Sequence, residues 1–179
     1  MSTNNYVTSN SEGVNFNQTY SAYDQTVAPS STNSVDNPGP PFTPGTVMAG
    51  TGDSEFVFVK ASANIAIGAV VQITTATFAA TGITTSNALL GNLVGVAQVA
   101  IASGQYGWVQ RMGRCDNISV AAGCNPNVQL ATTGTAGVLD DTVTGGPVLI
   151  NGIIITAATT PAAAVAGTLN NPVVGVTST

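Results

Sequence analysis

From about Glu55 onward, apolar and polar positions alternate in short runs, which is the pattern of β-strands. In the first run, "EFVFVKA" (Glu55–Ala61), both alternating sets of positions are apolar, which predicts a strand that is buried on both faces. Further runs rich in β-branched residues follow, separated by Gly, Asn and Thr. They are Gly68–Thr75, Asn92–Ile101, Tyr106–Met112, Asn117–Ala121, Asn127–Thr133, Gly146–Thr156 and Asn171–Thr177. Short strands at this spacing predict an all-β fold, with a single small β-sandwich or barrel domain over residues 51–179.

One stretch has the features of a helix. In "TTPAAAVAG", Thr160 suits the N-cap, Pro161 the first turn and Gly167 the exit. A helix of about two turns is marginal, so a loop is an equal alternative.

The strand runs also echo one another. "VVQITT" is followed later by "LVGVA", and "NVQLATT" is followed later by "VVGVT". A duplicated half-barrel is one explanation, and the similar composition of all Val-rich strands is the other.

Residues 1–50 show neither the periodicity of a helix nor the alternation of a strand. They are rich in Asn, Ser, Thr and Pro, and contain no Lys or Arg. Ordering about 45 such residues costs on the order of 45–90 kcal/mol of backbone entropy. Burial of the few large apolar side chains, at about 1.5–3 kcal/mol each, does not offset that cost. We therefore expect an extended N-terminal arm that partners order, partly through main-chain hydrogen bonds. The residues of this arm that we expect to make the partner contacts are Tyr6, Val14, Phe16, Tyr20, Tyr23 and Phe42.

Charge and hydropathy exclude two classes of partner. Only 6% of the residues are charged, the net charge is −5, and there is no His. An acidic chain lacks the Lys and Arg that neutralise phosphates, which argues against nucleic acid. No apolar run reaches the ~18 residues of a membrane helix, which argues against a membrane. The first residues lack the basic and apolar regions of a secretory signal, so we expect maturation in a reducing cytoplasm.

The stretch from Ala102 to Cys124 holds the one Trp, both Cys and two of the three basic residues. Trp108 is interpreted as an anchor of the core or of an interface. Arg111 and Arg114 could reach an acidic partner surface, or they could balance local acids such as Asp116. Gly113 is expected to begin a turn between two strands.

The two thiols have several possible roles. Cys115 and Cys124 bracket a predicted strand, which would hold them apart, so a disulfide between them is left open. The neighbouring Arg111 and Arg114 could lower the pKa of Cys115 and make it reactive.

The carboxylates offer two further alternatives. Asp53 and Glu55 could form a catalytic pair, or they could be a solvated strand edge. Asp140 and Asp141 lie in a predicted turn that lacks the spaced oxygen ligands of a calcium loop.

These residues do not assemble into a catalytic constellation. Without His, serine and cysteine triads lose their usual base. Two Cys alone are too few ligands for a metal site. The sequence predicts no enzyme activity, no catalytic residue, no cofactor and no metal.

Four segments of the β-region resemble the small head decoration (cement) proteins of tailed bacteriophages. They are "IAIGAVVQI", "LVGVAQVAIASGQYGWVQRMG", "GCNPNVQLATTGTAGVL" and the terminal "VVGVT". The resemblance covers about two-thirds of the chain, and its motifs are mostly Gly, Ala and Val. The long arm departs from the shortest members of that family.

The resemblance implies a structural virion protein that binds the outer surface of a phage capsid and stabilises the shell. The implied partners are the major capsid protein and further copies of the chain, as a homotrimer that hides strand edges. The implied location is the outer capsid surface, after assembly in the host bacterial cytoplasm. Possible interface residues on the β-domain are Trp108, Arg111 and Arg114. The alternative is a phage fibre, receptor-binding or other cell-surface adhesin domain.

Overall fold

The computed structural model describes residues 14–21, 40–142 and 146–177. Across these ranges the chain is all-β without a helix, as the alternating pattern predicts, and ten strands form one hydrogen-bonded sheet. These residues therefore include no helix that is long and apolar enough to cross a membrane. The strands are β1 (Val47–Ala49), β2 (Glu55–Ala61), β3 (Val70–Thr74), β4 (Ala79–Gly82), β5 (Leu93–Ala97), β6 (Tyr106–Val120), β7 (Leu130–Thr132), β8 (Leu139–Asp140), β9 (Val148–Ile155) and β10 (Ala163–Thr177).

Five of the predicted runs contain β2, β3, β5, β7 and β9, which confirms them as strands. Three short strands, β1, β4 and β8, were not predicted from the pattern. Each is too short to show a period, and each pairs with a neighbouring strand: β1 with β2, β4 with β3, and β8 with β7. β1 lies inside residues 1–50, the segment that the sequence assigns to the arm.

The expected turn at Gly113 is wrong, because β6 runs without a break from Tyr106 to Val120. Up to Met112 this strand pairs with β2, and from Met112 onward it pairs with β10. Gly113 has a φ of 84°, and a Cβ there would lie 2.8 Å from the main-chain oxygen of Asp53. The glycine thus permits a close approach of two backbones where the strand changes partner.

The region with helical features forms no helix: residues 159–162 are a loop, as the alternative allowed, and β10 begins at Ala163. It pairs with β6 on one side and with β9 on the other. These long-range ladders satisfy the main-chain groups of Ala163–Gly167, which a helix of two turns would satisfy only in part. Tertiary pairing therefore overrides the local helical features.

The strand pairings follow two closed cycles of the same design. In the first cycle β2 pairs with β4, β4 with β3, β3 with β5, β5 with β6, and β6 with β2 again. In the second, β6 pairs with β8, β8 with β7, β7 with β9, β9 with β10, and β10 with β6 again. Within each cycle the first pairing is parallel and the other four are antiparallel. The long strand β6 belongs to both cycles.

The register repeats in one part of the two cycles. Gln72 of β3 pairs with Thr81 of β4, and Ala131 of β7 pairs with Asp140 of β8. The second pair lies 59 residues after the first (72 to 131, 81 to 140). The echo between "VVQITT" and "NVQLATT" thus falls on equivalent strands. The other echo does not, because "LVGVA" forms β5, whose counterpart is β9, whereas "VVGVT" belongs to β10.

Two apolar clusters fill the sheet. The smaller lies within the first cycle and contains Val57, Val59, Val71, Ile73 and Val109. The larger joins outward-facing residues of β3 and β5 to the second cycle, and it includes Val70, Val96, Ile118, Leu130, Ile150 and both Cys. A third cluster, which is aromatic, lies on the other face of β2 and β6.

Candidate functional site: the aromatic face of β2 and β6

Alternation along β2 and β6 places large aromatic rings on one face. Val57 and Val59 point into the first cycle, so Phe56 and Phe58 point away from it. Trp108 lies opposite Phe58 in the ladder, and their ring centroids are 5.0 Å apart. Phe56, Phe58 and Trp108 are fully buried. We call these three residues the aromatic face.

An N-terminal segment, residues 14–21, covers the aromatic face. The ring of Phe16 stacks on Phe56 at 4.2 Å and meets Trp108 edge-on at 5.3 Å. The main chain of Tyr20 exchanges two hydrogen bonds with that of Tyr106, of 2.8 and 2.7 Å. Phe16 is 1% exposed. The segment thus combines a buried aromatic anchor with strand-like pairing, the way in which a peptide adds to a sheet edge.

Phe42 closes the other side of the cluster. Its ring lies 5.0 Å from Trp108, 5.5 Å from Phe58 and 6.4 Å from Tyr20. The contacts are edge-on, which the ring quadrupoles favour. Phe42 therefore connects the docked segment to the aromatic face.

The structure brings five of the sequence-predicted site residues into this one cluster: Val14, Phe16, Tyr20, Phe42 and Trp108. In this arrangement they contact their own chain. Tyr6 and Tyr23 lie outside the described residues. Sequence reasoning did not assign Phe56, Phe58 or Tyr106 to the site. The signal was present in "EFVFVKA", whose two apolar faces require two separate partners.

The basic residues form local pairs. Arg111 makes an ion pair with Glu55 across β6 and β2, and Arg114 pairs with Asp116 at 3.2 Å. Lys60 lies over the ring of Tyr106, with Nζ 5.6 Å from the centroid. Glu55 therefore faces a guanidinium and not a second carboxylate. Asp53 lies in the turn before β2 with a φ of 61°.

Both thiols are free and buried. Burial raises the pKa of Cys115 to about 12, and burial together with the nearby carboxylate of Asp141 raises that of Cys124 to about 11. The possibility that Arg111 and Arg114 lower the pKa of Cys115 is not realised, because desolvation by burial dominates at this position. Both groups are neutral thiols at pH 7.

Cys124 meets Asp140 and Asp141 at one end of the second cycle, where the Sγ atom and one oxygen of each carboxylate lie within 4.8 Å of one another. Oδ2 of Asp141 accepts hydrogen bonds from the main-chain and side-chain nitrogens of Asn125, which lower its pKa. Oδ1 of Asp140 accepts from the main-chain nitrogens of Asp141 and Thr142. Among the described residues, these three form a group of Cys and Asp side chains close enough together to hold a cation. The sequence analysis considered the two Asp and the two Cys as ligands separately, and not Cys124 together with both Asp.

A small polar cavity of about 200 Å³ lies beside Asp140. It is lined by Thr85, Thr132, Thr133, Gly134, Asp140, Thr142 and Pro147. None of these described lining residues is aromatic.

Comparison of the sequence with models of known protein families gives no match, and comparison with curated proteins gives no significant similarity.

Proposed function

We propose that this protein is a structural virion component that binds the outer surface of a phage capsid and stabilises the shell. The observation that carries the proposal is the use of its most distinctive side chains. Trp108, Arg111 and Arg114 contact other residues of the same chain through ring packing or ion pairs. A chain whose Trp and Arg side chains make intramolecular contacts of this kind suits a structural role.

A non-catalytic role follows from the same chemistry. The thiols are buried and protonated near neutrality, and Glu55 forms an ion pair with Arg111. The sequence has no His to act as a general base. We therefore propose that the protein catalyses no reaction and needs no cofactor.

The proposed partners are the major capsid protein and other copies of this chain, as a homotrimer at the outer capsid surface. A low charge content suits a chain whose surface is largely covered by neighbours, because charges are depleted at interface cores. A net charge of −5 suits the outer surface better than the side that faces DNA. Assembly in the host cytoplasm is consistent with two free thiols.

The turn between β4 and β5 is our candidate for the capsid contact. Leu89 and Leu90 are adjacent and are 61% and 72% exposed. Buried Gln72 fixes the turn, because its Nε2 donates to the oxygen of Asn87 at 2.6 Å and its Oε1 accepts from the nitrogen of Leu89 at 3.2 Å. Two leucines on a preorganised turn lose little entropy when they enter an apolar pocket.

We also propose that the two pairing cycles are two small barrels that share β6. Their support is the return of each pairing path to its first strand, together with one apolar cluster that lies within the first cycle and a larger one that includes residues of the second. A closed barrel leaves no free strand edge. Hydrogen exchange tests this, because β2–β6 and β6–β10 amides should then be protected to a similar extent along both sides of β6.

The adhesin alternative gains no support from the polar cavity beside Asp140. A sugar-binding site of that kind would stack its ligand on aromatic rings, and none of the described residues that line this cavity is aromatic. The described aromatic rings that cluster on β2 and β6 are covered by the chain itself.

Co-sedimentation with phage capsids assembled without this protein tests the proposal. The full chain should pellet with the capsids and raise the temperature at which they rupture. Leu89→Ser with Leu90→Ser should reduce binding by at least tenfold, whereas Val128→Ser, at a site 38% exposed, serves as the matched surface control. Failure of the unmodified chain to bind such capsids would contradict the proposed function.

A further inference from the structure

The docked N-terminal segment has the properties of a separate peptide ligand. Its contacts with the aromatic face come from two rings: Phe16 lies against Phe56 and Trp108, and Tyr20 lies edge-on to Phe58 at 5.8 Å. The main chain of Tyr20 also pairs with that of Tyr106. Aromatic anchors of this kind, each in a buried pocket, dominate the free energy of many peptide complexes. The segment also hides a face of three fully buried rings that β2 and β6 would otherwise expose. The face and the segment are therefore complementary surfaces.

The stretch of chain that joins residues 14–21 to Pro40 has more residues than are needed for the segment to dock on the aromatic face of its own chain. Residues 22–39 connect the segment to Pro40. The rings of Tyr20 and Phe42, near the two ends of this connection, are only 6.4 Å apart. Eighteen residues can span about 60 Å when extended. The same segment could thus reach the aromatic face of an adjacent copy without any change in its contacts.

We propose that the aromatic face is a docking site for residues 14–21 of a second copy of this chain, so that copies packed side by side exchange their N-terminal segments. Exchange of an identical element preserves every contact and costs little. In dilute solution the tether gives the chain's own segment an effective concentration in the millimolar range, which favours its own face. Where copies are packed closely, the segments of neighbours reach a similar local concentration and compete.

A second copy is favoured over an unrelated partner because the complementary peptide is already present in this sequence. Phe16 fits between Phe56 and Trp108, and four residues later Tyr20 pairs with Tyr106. The inference goes beyond the proposed function, since it concerns contacts between copies and can be tested without a capsid.

The test mixes two full-length variants, each defective in one of the two surfaces. Phe16→Ala removes the anchor of the segment, and Phe56→Leu alters the face while it keeps an apolar side chain. In the mixture, the intact segment of the second variant finds an intact face only on the first. At about 0.1–1 mM, near the effective concentration of the tether, native mass spectrometry should detect a heterodimer. The fluorescence of Trp108 in the Phe16→Ala chain should return toward that of the unmodified protein.

The matched control mixes Phe16→Ala with the double variant Phe16→Ala and Phe56→Leu, which offers no intact segment and should give no heterodimer. A synthetic peptide of residues 14–21, titrated into Phe16→Ala, gives a second measurement that does not depend on the folding of a face variant. It should restore the Trp108 emission. Absence of both the heterodimer and the peptide effect at 1 mM, by the same reasoning about effective concentration, would overturn the inference. Capsid binding by the unmodified chain would be unaffected by that result.

Discussion

Phe16 stacks on Phe56, with ring centroids 4.2 Å apart and ring planes inclined by 17°. One ring comes from the N-terminal segment and the other from β2, so this contact joins the segment to the sheet. Trp108, the one Trp in the chain, lies against the same Phe16 ring. The burial of Trp108 therefore reports whether the segment is docked.

The first prediction is that Phe16→Ala shifts the emission maximum of Trp108 to longer wavelength. Loss of the Phe16 ring removes apolar area from the indole and admits water, while β2 and β6 keep their pairing. A buried Phe→Ala change costs about 3–5 kcal/mol where the cavity cannot collapse, so it weakens the docking of a segment that is otherwise held by the Tyr20 ring and one pair of main-chain hydrogen bonds. Leu89→Ala, at an exposed position, is the control and should leave the emission unchanged. Identical spectra for Phe16→Ala and the unmodified chain would refute the docking.

The second prediction concerns two glycines with nearly the same φ, 84° at Gly113 and 80° at Gly104. Substitution of either by Ala places a side chain in the left-handed region, which costs about 1–2 kcal/mol. At Gly113 the new Cβ would also lie 2.8 Å from the oxygen of Asp53, whereas at Gly104 it meets nothing within 4 Å. Urea unfolding should therefore show a larger loss of stability for Gly113→Ala. Equal losses of stability for the two variants would mean that the backbones of Gly113 and Asp53 do not approach as closely as the structure shows.

The third prediction is a loss of stability at alkaline pH. The pKa values of Cys115 and Cys124 in the folded chain, about 12 and 11, lie above the ordinary value of 9.0. Between these values the unfolded chain loses protons that the folded chain retains, so the free energy of unfolding falls as the pH rises from about 9 toward 12. The contribution of the thiols is fully present below pH 9.

Urea unfolding at pH 8, 9, 10 and 11 measures this loss. The paired variant Cys115→Ala with Cys124→Ala should lose less stability over the same range, although the cavities lower its stability at pH 8. A reagent for thiols should react slowly with the folded protein at pH 8 and quickly in denaturant. Rapid reaction of the folded chain would contradict the burial of both groups.

How much the sequence predicts is clear at β2 and β6. Two apolar faces in "EFVFVKA" predict a strand covered on both sides, and the structure confirms it. The sequence also marks Phe16, Tyr20, Phe42 and Trp108 as anchors. It does not reveal that they contact one another, because that depends on the ladder that sets Phe58 opposite Trp108.

The errors have one physical cause. Gly113 and the stretch from Ala163 to Gly167 were interpreted from local features, as a turn and as a helix or loop. In the structure, both positions are determined by pairing between β6 and β10, which are distant in sequence. The sequence did not reveal the repeated order of the two pairing cycles for the same reason. Equivalent strands of the two cycles share their pairing partners and register, but few residue types.

The most direct test of the proposed function is to locate the protein on the particle. Antibodies raised against the folded chain, applied to intact phage from the source of this sequence, can be followed by gold labelling in the electron microscope. The proposed function predicts label over the outer surface of the capsid, with repeated spacing, and none after the Leu89→Ser and Leu90→Ser chain replaces the original. Label confined to tail fibres, or to no particle at all, would contradict it.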